Sequence, residues 1–448
     1  MNRTNRTKAL ATVICLILIG ILLQEPFAVA VSSSSLKKRA DVSIITGADW
    51  DNVIDHLRDQ RKEASYIIYL DGNTVKALNG TTGNVDFSET NATTVIQYTI
   101  NNGDSTFIKG GIYEISAYLT LDDDQILTGE GSSSILKLTS NLTYLIYAST
   151  GTTLSNIKIT NLAFDGDRTV RGGTTYAFEL DDAVDSEIAF NNIYNFTGGG
   201  VYFKGATTNG IDGRNKVGFN TFYNLGYPAV ELGLAGGGGD KGSHSNIVTN
   251  NIIRVMDRAA IRLWMSHRNI ITGNRIINTG TEAIDVVQSG QNVIDSNVIE
   301  GGDKATITNI GIAITAESNG SPYFAAEGNV VSNNFISKMG THGIMLAAGR
   351  RTLISGNTLR DNSQLTNSTY DGILISFVGT FYSTYNRVIG NYIQSTGSPL
   401  MNTAINELNS NNDYNVYIGN IIEGTTIGLL KFGANSKTTN NLNLTSWV

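Results

Sequence analysis

The 448-residue chain carries 32 Lys and Arg against 39 Asp and Glu, a formal net charge of −7 that excludes the basic footprint of a nucleic-acid binder. Its single cysteine, Cys15, excludes a disulfide framework and a cysteine-ligated metal. With 48 Gly and 4 Pro, the chain must build many tight turns from Gly and Asn.

Arg3, Arg6 and Lys8 precede an apolar run from Ala9 to Leu23 that ends near Ala28-Val29-Ala30, the pattern of a signal peptide over residues 1–30. The run is shorter than the roughly 20 residues that span a bilayer. An extracellular or cell-surface protein without stable membrane insertion is therefore expected after cleavage, a retained N-terminal anchor being the alternative. Without the leader, 29 basic and 38 acidic residues remain, a net charge near −9.

Residues 31–48, with Ser32 to Ser35 and Lys37-Lys38-Arg39, hold too little apolar side chain to pack and read as a linker. Residues 49–91 read as a small α+β cap. Trp50, Val53, Ile54 and Leu57 recur at helical spacing; Tyr66 to Leu70, a Gly72-Asn73 turn and Thr74 to Leu78 predict a hairpin. From Asn91 to Asn101, Val95, Ile96, Thr99 and Ile100 share one face behind Asn91 as N-cap, predicting an amphipathic helix that plugs the open end of a solenoid.

The solenoid is predicted over residues 92–432 by a repeat of the form apolar-apolar-x-(Gly/Asn/Ser)-Asn-x-apolar. Examples are Ile270-Ile-Thr-Gly-Asn-Arg-Ile276 and Leu353-Ile-Ser-Gly-Asn-Thr-Leu359. Its marker asparagines fall at 161, 191, 220, 251, 274, 297, 334, 357, 391 and 420, a base period of 23 with insertions. A period this short, filled with Val, Ile, Asn and Gly and lacking a helical segment, predicts an all-β, single-stranded parallel β-helix of about ten or more coils with three short strands in each. The asparagines are expected to stack as an inward ladder. Residues 433–448 read as a polar tail that leaves the solenoid end poorly covered, so contact with a second copy, a homo-oligomer, is an open expectation.

The segment Val95 to Leu138, with Phe107-Ile-Lys-Gly-Gly-Ile-Tyr113, Leu127-Thr-Gly-Glu-Gly131 and Ile135-Leu-Lys-Leu138, resembles the opening coils of pectin-lyase-like right-handed β-helix proteins. Asn161-Leu-Ala-Phe-Asp-Gly-Asp167 is similar to their next turn. The resemblance implies the fold across residues 92–432. For activity it implies only a range: polysaccharide lyases, polygalacturonase-like hydrolases, epimerases, phage-tail fibres and proteins with no known reaction.

Each coil also carries a strand Gly/Ala-apolar-x-apolar, whose first apolar residues are Val201, Val230, Ile261, Ile284, Ile312, Ile344, Ile373, Ile405 and Ile427. Alternation points these inward and the next residue outward, giving the column Tyr202, Glu231, Arg262, Asp285, Ala313, Met345, Leu374, Asn406 and Gly428. Its polar start places a candidate site in the N-terminal half of the solenoid. Glu231 and Asp285, two coils and about 9.6 Å apart by strand spacing, suit the general acid and base of an inverting glycosidase, which need roughly 6.5–9.5 Å. Arg262 between them suits the carboxylate of an acidic sugar, and Tyr202, Lys204 and Trp264 would line the groove. The competing reading is a surface ion-pair ladder.

A neighbouring column holds Glu282, His342 and Asp371, candidate substrate-binding residues. His342-Gly343 resembles part of the Gly-His-Gly motif of polygalacturonase-like hydrolases, with Thr341 replacing the first Gly, but no Asn-Thr-Asp or Arg-Ile-Lys motif accompanies it. The lyases of the superfamily imply Ca2+, for which Asp257, Glu231 and Asp285 would be the ligands and Arg258 or Arg262 the base, although no acidic loop of calcium-binding spacing is present. Gly233 to His244 interrupts the repeat with a glycine-rich loop suited to a lid. The expected partner is an extended, acidic polysaccharide or surface glycan, bound or cleaved. A non-catalytic, glycan-binding or structural rod is the alternative.

Overall fold

A computed structural model of the chain describes residues 64–148, 153–170, 172–205, 209–233, 240–301, 308–316, 326–397 and 400–444. The expected leader, the linker, the helix at Asp49 to Glu63 and residues 234–239 of the glycine-rich loop lie outside them.

Short period-2 strands, joined by two-residue corners between the first and second sheets and by longer turns elsewhere, wind the chain into a coil. Three sheets run along it, with 16, 13 and 13 strands among the described residues. One coil shows the plan: Ile270–Thr272 in the first sheet, Arg275–Ile277 in the second and Glu282–Val287 in the third. Each pairs in parallel, in register, with its counterpart one coil on, as Ile271 does with Ile294, Ile276 with Ile299 and Ile284 with Ile312. The inward residues therefore form continuous apolar files, among them Ile271, Ile276, Ile284 and Val286, all fully buried.

The asparagines of the repeat make the corner between the first two sheets. The backbone N–H and the side-chain amide of Asn274 both donate to Asn297 Oδ1 at 3.0 Å, and those of Asn297 to Asn334 Oδ1 at 3.0 Å. The ladder runs from Asn191 to Asn441. Asn161 is not in it: its backbone turns left-handed, φ 55°, its side chain is exposed, and Leu162 donates to Asn191 in its place. The same corner explains the Gly/Asn/Ser of the motif. The residue before each rung is left-handed, as at Asn250, Gly273, Ser296, Asn333 and Gly356, and these side chains tolerate that region best. A second ladder, five residues upstream, links Asn215, Asn246, Asn269, Asn292 and Asn329 on the other side of the first sheet.

Asn297→Ala would strip a buried acceptor from two donors of Asn274 and a donor from Ile271 O, 2.9 Å away. Each orphaned buried group costs about 1–3 kcal/mol, so chemical denaturation should report a loss of at least about 2 kcal/mol. A loss within experimental error would show that the rungs are incidental to stability.

At the N-terminal end, Tyr66–Asp71 and Thr74–Asn79 form the expected hairpin around Gly72, φ 61°, and Tyr66–Ile68 extends the first sheet by pairing with Thr106–Ile108. Helix α1, Ala92–Asn102, starts where expected. Asn91 accepts from the N–H groups of Thr93 and Thr94, and Val95, Ile96, Thr99 and Ile100 are buried against the hairpin and the opening coils. At the other end, parallel pairing continues through Lys437–Thr439 and Leu442–Leu444, inside the stretch expected as a tail.

Candidate functional site

The third sheet carries the column read from the sequence. Tyr202 pairs with Glu231, Glu231 with Arg262, Arg262 with Asp285 and Asp285 with Ala313, continuing through Met345, Leu374 and Asn406. The last position is different: Asn406 pairs with Leu430, not Gly428, because the final strand slips by two residues and Ile405 meets Leu429.

The column also begins earlier than expected. Glu179 pairs with Tyr202, Tyr147 with Glu179, and Asp181 with Lys204. Ala177-Phe-Glu-Leu180 fits the same Gly/Ala-apolar-x-apolar pattern, so extending that pattern one coil upstream was the signal for Glu179. The same extension reaches Asp181, two residues further along the strand and in register with Lys204, although not the burial of its carboxylate.

Two ion clusters result. Lys204 lies between the carboxylates of Glu179, to which it donates, and Asp181, 3.1 Å away. Burial pulls the Lys204 ammonium down, but the hydrogen bond and charge of Glu179, then Asp181, outweigh it and hold the group above its ordinary value. Burial pushes Asp181 up to about 6 against the pull of Lys204. One coil past Glu231, Arg262 Nε donates to Asp285 Oδ2 at 2.9 Å, and its guanidinium lies 5.8 Å from the Trp264 ring. Burial works against the Arg262 charge too, and Asp285, then Glu231, restore it.

Glu231 stands between the clusters with 7% of its surface exposed. Burial raises its carboxyl to about 7. Arg262 and Arg258 pull it down, while Asp285 and Glu179 push it further up. The Glu231 carboxyl is thus half protonated near neutrality, in a wall where Asp285 is tied to a cation. A carboxyl raised by burial near a second carboxylate that a cation holds is an arrangement that acid–base chemistry uses.

Aromatic rings form one border of this wall. Tyr202 is buried, with its ring 5.7 Å from that of Tyr176, which lies 5.8 Å from Tyr227 and 6.4 Å from Tyr144. Tyr144 stacks on Tyr147 at 5.1 Å, and Tyr147 meets Tyr118 edge-on. Sequence reading placed only Tyr202 here; Tyr147 continues the same column upstream of Glu179, while Tyr118, Tyr144, Tyr176 and Tyr227 come from turns and strand ends, whose direction the period does not fix. A loop after Asp165 crosses the same border. Its Arg168 donates to Asp257 and, at 3.2 Å, to Asn224 two coils along.

Glu282, His342 and Asp371 lie on the adjoining column, and only Glu282 comes near the wall, adding its charge to Arg262. His342 Nδ1 accepts from the N–H of Asp371 at 3.0 Å, its ring meets Tyr370 edge-on, and burial pushes it down to about 4, so it is neutral at physiological pH. Asp371 in turn accepts from Thr403 N and Asn406 Nδ2, at 3.2 and 3.1 Å. These bonds tie successive coils together.

The three carboxylates considered for calcium do not converge. Asp257 is paired with Arg168, Asp285 with Arg262, and no cluster of three or more acidic, His or Cys side chains among the described residues could hold a metal ion.

Residues 145–324 match the family model described as "Right handed beta helix region". The fold is a right-handed parallel β-helix. Among solved structures, the chain is similar to the A-module of the mannuronan C-5 epimerase AlgE6 of Azotobacter vinelandii, at 18% identity and a TM-score of 0.58, over 78% of this chain and 94% of that one. It is also similar to the Dettilon tailspike protein, at 15% identity and a TM-score of 0.57, over 75% of this chain and 65% of that one. Tailspike protein 3 of bacteriophage CBA120 matches at 12% identity and a TM-score of 0.55, over 89% and 69%. At these identities the likeness is one of fold. No curated protein sequence matches the chain. Among the described residues no helix is long and apolar enough to cross a membrane.

Proposed function

We propose that the protein is an exported β-helix enzyme that hydrolyses an extended, acidic polysaccharide on its third sheet, with Glu231 as general acid and Asp285 as general base. The observation that carries this reading is the environment of Glu231. It is a carboxyl buried between two ion clusters and raised to about 7, two coils from a carboxylate held by Arg262. Strand spacing puts the two backbones about 9.6 Å apart, leaving room for the water that an inverting mechanism activates. Glu231 would protonate the leaving glycosidic oxygen and Asp285 would take the proton of the attacking water. The mannuronan named for the epimerase of similar fold supports an extended glycan as the ligand of such a face.

A second reading, a glycan-binding rod without chemistry, is favoured by the pairing of Lys204 and Arg262 with acids of the same wall. One assay separates the two. Purified protein incubated with polymannuronate and polygalacturonate should release reducing ends without unsaturated sugars, and Asp285→Asn should lower that rate by about 10²-fold or more. Unsaturated ends would replace the hydrolase by a lyase, and binding without product would establish the rod.

A further inference from the structure

Besides Arg168, which Asp257 holds, three cations border the proposed site, and two of them are already engaged. Lys204 is held by Glu179 and Asp181, and Arg262 gives its Nε to Asp285. The third, Arg258, is exposed and has no carboxylate within ion-pair distance among the described residues. Its nearest acid in sequence, Asp257, is drawn away by Arg168, which crosses from an earlier loop and is itself fixed by Asn224.

Arg258 is nevertheless positioned. Its guanidinium lies over the ring of Tyr227, 4.3 Å from the centroid, and that ring packs against Tyr176, which in turn packs against Tyr202. Tyr227 and Arg258 occupy the same register on successive coils, three residues before the paired Val230 and Ile261 and four before the paired Glu231 and Arg262. Pro228 follows Tyr227 and restricts the turn that presents the ring. A guanidinium held against an aromatic face keeps its outer N–H groups turned outward, and their planar fork matches a carboxylate bidentately.

We infer that Arg258, seated on Tyr227, is the residue that selects a carboxylate-bearing sugar at the border of the Glu231 wall, the role the sequence assigned to Arg262. Arg262 then acts through Asp285 as a positioning residue. This rests on the reading of the third sheet as a glycan site, and the test separates the two. Binding is measured by affinity electrophoresis on gels containing polymannuronate, polygalacturonate, the carboxyl-reduced form of each, or dextran sulfate, so that turnover is not required.

The wild type should bind the polyuronates in preference to their reduced forms and to dextran sulfate. Arg258→Gln should weaken binding to the polyuronates about 10- to 100-fold and leave the reduced forms unchanged. Arg258→Lys, which keeps the charge and loses the fork, should recover only part of the affinity, and Glu231→Gln should keep the preference. A preference that survives Arg258→Gln overturns the assignment. So does a wild type that binds charged and reduced glycans alike, although the glycan site itself would then stand. Equal retention by dextran sulfate overturns carboxylate selection in favour of charge alone. Binding to none of these gels overturns both readings.

Discussion

Glu231→Gln is expected to lower product formation from a polyuronate by about 10²–10⁴-fold, the usual worth of a general acid, while making the protein more stable above pH 7. The two effects have one cause. Burial raises the Glu231 carboxyl from its ordinary value to about 7, so the folded state favours the protonated form. Below about pH 4.5 the group is protonated in both folded and unfolded chains and contributes no difference. Between there and pH 7 the folded protein keeps a proton that the unfolded chain has released, and stability falls as pH rises. Above pH 7 the buried carboxylate is charged and the penalty is complete, at most on the order of 3 kcal/mol from the size of the shift. Glutamine is neutral throughout, so the stability gap between variant and wild type should open between pH 4.5 and 7 and then stay constant. Wild-type activity should fall above about pH 7 as the acid loses its proton. Melting temperatures and initial rates from pH 4 to 9 check both, and a variant that remains active, or a gap independent of pH, would remove Glu231 from the acid's role.

The part of this site that lies on strands was legible in the sequence. Period 2 fixes which residues point outward, and the repeat fixes which outward residues stack, so Glu231, Arg262 and Asp285 meet as read. Glu179 was equally legible and was missed because the file of apolar residues began one coil late. The slip after Asn406 had no signal, since Ile427 and Leu429 both fit an inward position. The pairing of Arg262 with Asp285 rather than with a ligand depends on side-chain rotamers, which no period encodes. Tyr227 and Arg258 lie at matching places in turns of equal length, so their stacking was within reach of the repeat, whereas Arg168 lies in the longer connection from Asp165 to Tyr176, whose path no period fixes. The second asparagine ladder was within reach. Asn246, Asn269, Asn292 and Asn329 precede their partners in the first ladder by five residues each time.

The C-terminal end holds the other residue whose loss should be felt most. Glu407 occupies an inward position, paired across strands with Ile375, where every earlier coil has an apolar residue. It is fully buried. One carboxylate oxygen accepts from Asn415 Nδ2, Tyr417 Oη and Ser436 Oγ at 2.9, 3.1 and 2.7 Å; the other accepts from the N–H groups of Phe432 and Gly433 at 2.9 and 2.8 Å. The donors come from Asn415 and Tyr417 at one strand of the first sheet, from the turn at Phe432 and Gly433, and from Ser436 ahead of the next strand, Lys437–Thr439, so the carboxylate joins the last two turns of the described solenoid as an apolar side chain cannot. It satisfies buried polar groups on both of those turns. Glu407→Ala would leave them buried and unpaired. Glutamine does not rescue the site, because its NH₂ group would face donors on either side.

A solenoid is stabilised coil by coil, so the damage should stay local. Hydrogen exchange should report loss of protection at Phe432, Gly433 and the strands Lys437–Thr439 and Leu442–Leu444, equivalent to about 3 kcal/mol of local stability. The coils around Glu231 should exchange as before and the glycan-binding face should keep its affinity. Uniform loss of protection along the whole chain would mean that the coils fold as one cooperative unit, with Glu407 stabilising all of them rather than joining its own neighbours.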